Sequence, residues 1–246
     1  MINTRYGHAS SVLQNGKILV TAGIHNDTYL NSTELYDSLT GTWTITNSMN
    51  NSRRLHTASI LWNGKVLVSG GTDIYLSSAE FENNIQISNV YRSSIGLNSS
   101  ELYDPSTETW TITGTMNIGR YAHSASLLTN GKVLIAGGIH NGTRLNSAEL
   151  YDPSTRTWIV TGSMHNERYD HTASVLTNGK VLVTGGGIDK NLYNTELYDP
   201  STGIWTLTGK MNSGRIWHSA SVLKSGKVLV TGGSNHGITL NTAELY

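Results

Sequence analysis

One pattern occurs five times in this sequence: Arg-x-x-His, followed fifteen residues after the His by a glycine that closes a Gly-Gly or Ala-Gly pair. Successive His residues lie 48, 67, 48 and 47 positions apart. A period of about 48 residues indicates one structural unit in several copies, and it is long enough for a four-stranded β-propeller blade. The His residues are His8, His56, His123, His171 and His218, and the closing glycines are Gly23, Gly71, Gly138, Gly186 and Gly233.

Each repeat is predicted to contain four short antiparallel strands joined by tight turns. In the third repeat the predicted strands cover residues 124–128, 132–136, 148–152 and 157–161. Asn130-Gly131, between the first two strands, predicts a two-residue hairpin turn, because both residues tolerate positive φ. Four repeats carry a Tyr, a Trp seven residues later and a Met six residues after that, and we expect the Trp side chains to pack between strands. These Trp residues are Trp43, Trp110, Trp158 and Trp205.

The five repeats span about 1–48, 49–115, 116–163, 164–210 and 211–246, which we interpret as a single domain. They predict an all-β fold, a β-propeller of five blades with four antiparallel strands each and an incomplete last blade. The second repeat is longer by an insertion at about 77–97, in which residues 85–90 alternate enough to form an extra strand. The insertion is either a duplication tolerated at the surface or an excursion that shapes a pocket.

The sequence of the fifth repeat stops in its predicted third strand, which would leave an unpaired sheet edge. Three arrangements are open at this point. The last blade of a closed five-blade ring has three strands, the chain is part of a larger propeller, or a second chain supplies the edge through self-association. We favour the five-blade ring.

The glycine doublet, the Tyr and the Trp at fixed offsets resemble the kelch repeat, and the resemblance covers essentially the whole chain. It implies a kelch-type β-propeller. Kelch propellers include protein-binding adaptors and sugar-active enzymes, so the resemblance is specific for fold rather than for function. In kelch adaptors two kinds of loop grip a peptide, the loop after the glycine pair and the link from the Met to the His, and the resemblance implies the same loops here.

Composition removes several classes of function. Lys plus Arg and Asp plus Glu both number 17, and this balance argues against nucleic acid or an anionic membrane as the main partner. There is no Cys, which excludes disulfides, thiolate metal ligands and Cys nucleophiles. No apolar stretch approaches the length of a membrane span, and no secretory signal follows Met1. The cellular compartment stays undecided.

The residues that recur in every repeat are interpreted as structural. One Arg and one Glu per repeat could form a ring that captures an anion, but Arg–Glu pairs within the blades are the favoured interpretation. A ring of five His would spread its members too far apart for one zinc ion, so we predict no metal and no cofactor. Each His is expected to be a hydrogen-bonded structural residue.

The residues that differ between repeats are the candidates for binding. They fall in the Met-to-His links and in the glycine loops, the segments after the glycine pairs, which a meander places at the same end of each blade. Loops on a rigid scaffold commonly carry recognition, and Tyr, Trp and Arg are typical of binding hot spots. Some of these side chains would merely fill space between blades. The candidates are Tyr6, Arg54, Leu55, Tyr121, Tyr169, Asp170 and Trp217 in the links, and His25, Tyr29, Tyr75, His140, Arg144, Asp189, Lys190, Tyr193 and His236 in the glycine loops.

We therefore predict a non-catalytic module that binds a protein, a peptide or a glycan through these loops. The alternative is a sugar-active enzyme of the epimerase or lyase type, with Arg, His or Tyr at the same end of the blades as acid and base. Resemblance to copper-dependent kelch oxidases does not extend to their chemistry, since that requires a Tyr cross-linked to a Cys.

Overall fold

The computed structural model describes residues 1–73, 95–187 and 192–246. These residues form an all-β structure of the predicted class, with five antiparallel sheets that correspond to the five predicted propeller blades. Several predictions lie outside the described residues. They are most of the insertion predicted at about 77–97, its extra strand at 85–90, and the candidates Tyr75, Asp189 and Lys190. The described residues contain no helix that is long and apolar enough to cross a membrane.

The first two blades are four-stranded antiparallel sheets, in which each strand pairs with the next one of the meander. The sheet order is β1-β2-β5-β6 in the first blade and β7-β8-β9-β10 in the second. The strands are β1 Ala9–Val12, β2 Ile18–Thr21, β5 Thr33–Asp37 and β6 Thr42–Thr46, with the glycine-loop hairpin β3 Ile24–His25 and β4 Thr28–Tyr29, then β7 Thr57–Ile60, β8 Val66–Ser69, β9 Ser100–Asp104 and β10 Thr109–Ile112.

The third and fourth blades repeat this arrangement, and the fifth has three strands. Their sheet orders are β11-β12-β15-β16, β17-β18-β19-β20 and β21-β22-β25, so the incomplete fifth blade is confirmed. The strands are β11 Ser124–Leu127, β12 Val133–Ala136, β13 Ile139–His140, β14 Thr143–Arg144, β15 Ala148–Asp152, β16 Thr157–Val160, β17 Thr172–Val175, β18 Val181–Thr184, β19 Asn194–Asp199, β20 Ile204–Lys210, β21 Ser219–Val222, β22 Val228–Thr231, β23 Ser234–Asn235, β24 Ile238–Thr239 and β25 Ala243–Leu245.

The seven-residue spacing from Tyr to Trp places the two side chains opposite each other on the third and fourth strands of a blade. Tyr198 pairs with Trp205, and their ring centroids are 5.0 Å apart. Tyr36 and Trp43 make the same pair at 4.9 Å. Because facing aromatic side chains stabilise neighbouring strands, the spacing fixes the register of this outer hairpin.

The turn between the first two strands differs from the prediction. A two-residue turn at Asn-Gly would need positive φ at both positions, but in the first blade only Gly16 has it, at 80°. The Leu13 amide donates to the Lys17 carbonyl at 2.8 Å, and the Gly16 amide donates to the Leu13 carbonyl at 2.9 Å. The turn is therefore a three-residue loop that ends in a glycine bulge. The prediction was wrong because it took Asn for a left-handed residue, whereas the Asn15 side chain accepts a hydrogen bond from the Lys17 amide.

Contacts divide the chain into two compact units. The first comprises Met1–Tyr121, Ile139–Thr143 and Pro153–Trp158, and the second comprises Ala122–Gly138, Arg144–Asp152 and Ile159–Tyr246. The core of the first unit lies between its two complete blades, where Leu13, Leu35 and Met49 pack with Val66 and Tyr103. In the second unit, one cluster includes Leu128, Met164, Val183 and Trp205, and another includes Leu182 and Val230. Each core is thus the packing interface between two successive blades.

Candidate functional site

The repeated Arg and Glu residues form buried ion pairs in the blades, as favoured from the sequence. Arg53 Nη2 lies 2.8 Å from Glu101 Oε1, and both side chains are fully buried. Arg168 and Glu196 make the same pair at 3.0 Å. These guanidinium groups point to carboxylates inside the blades and therefore are not offered to an external anion. Arg5–Glu34 in the first blade and Arg215–Glu244 in the fifth are ion pairs of the same kind.

Each of these Glu residues also holds the start of a Met-to-His link. Glu196 accepts hydrogen bonds from the backbone amides of His165 and Asn166 at 2.6 and 3.1 Å. Burial alone raises the pKa of Glu196, but these amides together with Arg168 outweigh it and hold the pKa below its ordinary value. The carboxylate therefore stays charged and fixes the link that carries Tyr169 and Asp170.

The repeated His residues join neighbouring blades. His171 Nε2 lies 2.8 Å from the Ser124 hydroxyl of the preceding blade, and His56 Nε2 lies 2.8 Å from the hydroxyl of Thr21. Burial, followed by the charge of the neighbouring Arg, lowers the pKa of both His56 and His171 to about 3. These rings are neutral at pH 7 and serve as hydrogen-bonded structural residues, as predicted. Within the described residues, no group of three or more His, Asp and Glu side chains could hold a metal ion.

The glycine loops and the Met-to-His links meet at one end of each blade, which we call its loop end. Isolated β-bridges join Tyr6 to Ile24 and Ile216 to Ser234. The same bridge joins Arg54 to Thr72 and Tyr121 to Ile139. The prediction that the two variable segments share one end of a blade is confirmed, and their backbones are fixed by hydrogen bonds.

The opposite, hairpin end of a blade is built mostly from repeated residues. In the second blade Lys65 Nζ lies 2.9 Å from Asp104 Oδ2, so the glycine-bulge hairpin meets the turn after the third strand. A groove of about 380 Å³ opens here, lined by Gln14, Asn63 and Ser106 among others. Asn63 recurs in most repeats, whereas the position of Gln14 holds Trp62, Thr129, Thr177 and Lys224 in the others.

The residue before each repeated His has a left-handed backbone, which the sequence analysis did not foresee. Its φ is 53° at Leu55, 52° at Asp170 and 54° at Trp217. The amide of this residue donates to the carbonyl of its counterpart in the preceding blade: Leu55 to Gly7 at 3.0 Å and Trp217 to Asp170 at 3.3 Å. These hydrogen bonds line up the most variable positions of successive blades. No sequence signal marks the conformation, because Leu and Trp rarely adopt it.

The candidate side chains differ widely in exposure. Tyr6 and Trp217 are 58% and 51% exposed, whereas Tyr121 and Tyr169 are 1% and 3% exposed. The burial of Tyr121 and Tyr169 agrees with the expectation that some candidates fill space between blades. Neither residue is therefore part of the binding surface proposed below. His236 is exposed, and the candidates that are partly buried are His25, Tyr29, Arg54, Leu55, His140, Arg144, Asp170 and Tyr193.

Two Arg–Tyr pairs connect the loop ends of neighbouring blades. The Arg54 guanidinium lies over the Tyr29 ring at 5.4 Å from its centroid, and Arg144 lies over Tyr169 at 5.5 Å. In each pair one residue belongs to a glycine loop and the other to the link of the following blade. These cation–π contacts hold the Arg side chains in place without neutralising their charge.

A family model described as the KLHDC2/KLHL20/DRC7 Kelch-repeats domain matches residues 83–233, and a Kelch motif model matches residues 5–50. A comparison with curated proteins finds no match. The first match covers more than half of the chain, and the blades, glycine doublets and Tyr–Trp pairs described above agree with it. The chain belongs to the kelch-repeat β-propeller family, whose members generally act as protein-interaction modules.

Proposed function

We propose that this protein is a non-catalytic binding module that recognises a protein or peptide through the loop ends of its blades. The observation that carries the proposal is the contrast between a fixed backbone and varied side chains at these ends. Bridges and amide–carbonyl contacts recur from blade to blade, while the residue before the His changes from Gly7 to Leu55 to Asp170 to Trp217. A rigid scaffold with changing side chains suits selective recognition.

The chemistry of these side chains favours a peptide-like ligand. Exposed Tyr6 and Trp217 offer aromatic surface, and Arg54 offers a charge that is held over Tyr29. Arg54 Nε is buried without a hydrogen-bond partner in the described structure, so a ligand carbonyl or carboxylate that reached it would satisfy a donor. Aromatic rings next to a positioned Arg are the composition of an interface hot spot.

A selection from a random peptide library on the immobilised chain tests this proposal. We expect selected peptides to lose about thirtyfold or more in affinity for Trp217→Asn, because removal of an aromatic hot-spot side chain costs about 2 kcal/mol or more and about 1.4 kcal/mol is tenfold. Asn is chosen because it tolerates the left-handed backbone at this position. The measurement is binding by surface plasmon resonance or calorimetry.

Trp62 provides a matched control. It is 63% exposed, comparable with Trp217, but lies in the hairpin turn between β7 and β8, at the hairpin end of its blade. Trp62→Asn should leave the affinity of the selected peptides unchanged. Peptides that bind Trp217→Asn and Arg54→Gln normally and fail on Trp62→Asn would place recognition at the hairpin end and contradict the proposal.

A further inference from the structure

The chain contains five Asn-Gly pairs, and Asn is a chemically labile residue, most of all where Gly follows it. The side-chain carboxamide of such an Asn can be attacked by the backbone nitrogen of the next residue, and a Gly there leaves the approach open because it has no Cβ. The nitrogen must lose its proton and the carboxamide must turn towards it, so hydrogen bonds at either group oppose the reaction. The five pairs begin at Asn15, Asn63, Asn130, Asn141 and Asn178.

Four of the pairs lie in the glycine-bulge hairpins between the first two strands of a blade, where both groups are held. The Gly16 amide donates to the Leu13 carbonyl at 2.9 Å, and the Asn15 carboxamide oxygen accepts a hydrogen bond from the Lys17 amide at 3.1 Å. Reaction in this turn must therefore first break two hydrogen bonds. The same two contacts, at the same distances, hold the pairs that begin at Asn63, Asn130 and Asn178.

The fifth pair, Asn141-Gly142, lies in a different turn. It forms the two-residue loop between β13 and β14, with φ of 46° at Asn141 and 73° at Gly142. Positive φ at both positions is typical of a type I′ hairpin turn. Both residues are exposed, and in the described structure neither the Gly142 amide nor the Asn141 carboxamide makes a hydrogen bond. The two reacting groups are therefore adjacent in the chain, open to water and not held apart.

The corresponding turns of the first and fifth blades lack this combination. Asn26 and Asp27 form the same two-residue turn in the first blade, with φ of 44° and 59°. There Asp27 brings a side chain next to the attacking nitrogen, and Asn26 Nδ2 lies 3.2 Å from His25 Nε2. In the fifth blade His236 stands at the Asn position, so that turn offers no carboxamide. Within the described ranges, an Asn-Gly pair therefore coincides with an open type I′ turn at Asn141 alone.

We propose that Asn141 is a site of spontaneous deamidation, at which the folded chain converts the amide into a mixture of aspartyl and isoaspartyl residues. The Gly142 nitrogen, after losing its proton, forms a bond to Asn141 Cγ, and the side-chain nitrogen takes up a proton and leaves as ammonia. Water then opens the cyclic imide at one of its two carbonyl carbons. The net reaction consumes one water and releases one ammonia, and it needs neither a catalyst nor an oxidant.

The reaction would give the loop end of the third blade two chemical forms. Either product places a carboxylate in the glycine loop, directly after His140 in the chain. Water attack at the main-chain carbonyl carbon routes the backbone through the Asn141 side chain and lengthens it by one carbon, so the two-residue turn loses its geometry. An aged chain therefore differs from a newly made one in charge and in loop shape at this position. The inference concerns one turn and does not depend on the proposed function.

Peptide mapping by mass spectrometry, after incubation of the full chain at mildly alkaline pH in heavy-oxygen water, tests the proposal. We expect Asn141 to convert at least about tenfold faster than the other four Asn-Gly pairs, because each of their two hydrogen bonds contributes a factor of roughly two to ten. The product should carry one oxygen from the solvent. In urea, where these hydrogen bonds are lost, all five pairs should convert at similar rates.

Two reciprocal substitutions test the role of the turn. Gly142→Asp reproduces the Asn-Asp pair of the first blade, which adopts the same turn, and should slow conversion at Asn141 severalfold. Asp27→Gly should make Asn26 a second reactive site. Circular dichroism would verify that both variants are folded. The proposal would be overturned by an Asn141 that stays intact, by equally fast conversion at another Asn-Gly pair of the folded chain, or by a preference for Asn141 that persists unchanged in urea.

Discussion

The fourth blade and the first blade carry the same residues on the same face, yet they place them in different surroundings. Trp205, Tyr198 and His171 are buried against the third blade, where the latter two have hydroxyl partners. Trp43, Tyr36 and His8, their counterparts in the first blade, are partly or largely exposed. The difference teaches that each repeat supplies only one side of a packing interface between blades. How much the same residues contribute to the free energy of unfolding therefore depends on the blade that packs against them. Matched substitutions in the two blades measure that dependence.

The largest difference is expected for Trp to Ala. Trp205→Ala should lower the free energy of unfolding by about 3–5 kcal/mol, because it removes a buried indole and leaves a cavity between two blades. Trp43→Ala should cost only about 1–2 kcal/mol, because its indole is already partly in water. Urea unfolding at low protein concentration gives both values. Equal losses would mean that burial against the preceding blade does not change how much the Trp contributes to stability, and they would contradict the comparison.

The next difference concerns pH. Since the pKa of His171 is about 3 in the folded chain and about 6.5 when unfolded, the unfolded state binds more protons between these values. The contribution of the neutral His171 ring to the free energy of unfolding is fully present above pH 6.5. This contribution falls by about 1.4 kcal/mol per pH unit as the pH drops towards 3.

His171→Gln should therefore flatten the pH dependence of the melting temperature between about pH 6 and 4. The pKa of His8 is also lowered, first by partial burial and then by the charge of Arg5. His8 nevertheless remains largely exposed and lacks a hydroxyl partner. His8→Gln should flatten the curve less. Identical curves for the two variants would show that enclosure by a neighbouring blade does not set the protonation of these rings.

The smallest difference is expected for Tyr to Phe. Tyr198→Phe removes the hydroxyl that lies 2.8 Å from Thr161 and should cost about 0.5–1.5 kcal/mol. Tyr36→Phe should be neutral within error, because its hydroxyl has no protein partner in the described structure. Chemical unfolding of the two variants side by side checks this, and a clear loss of stability in Tyr36→Phe would reveal a contact of the Tyr36 hydroxyl.

Much of this architecture was predictable because its signals are local and repeated. The Arg-x-x-His spacing, the glycine pairs and the Tyr–Trp interval predicted the five blades, and the presence of one Arg and one Glu in every repeat predicted their ion pairs. The small hairpins such as β3 with β4 were missed, since two-residue strands leave no periodic pattern. The glycine bulge was misjudged because Asn15 uses its side chain rather than a left-handed backbone.

The candidate binding residues were harder to sort because exposure depends on the neighbouring blade. Tyr6 and Tyr121 occupy the same position after the repeated Arg, yet one is 58% exposed and the other 1%. Nothing in either repeat alone distinguishes them. The Arg54–Tyr29 contact likewise joins two repeats, and sequence spacing within one repeat carries no information about it.

The left-handed residue before each His restricts how this family of loops could be diversified by engineering. Val, Ile and Thr clash with the backbone at positive φ, and Pro cannot adopt it at all. A combinatorial library at Leu55, Asp170 and Trp217 would therefore yield more folded members if it were biased towards Asn, Asp and Gly and omitted β-branched codons. Any bulky residue retained there, as Trp217 is, brings a steric penalty that favourable contacts elsewhere must offset.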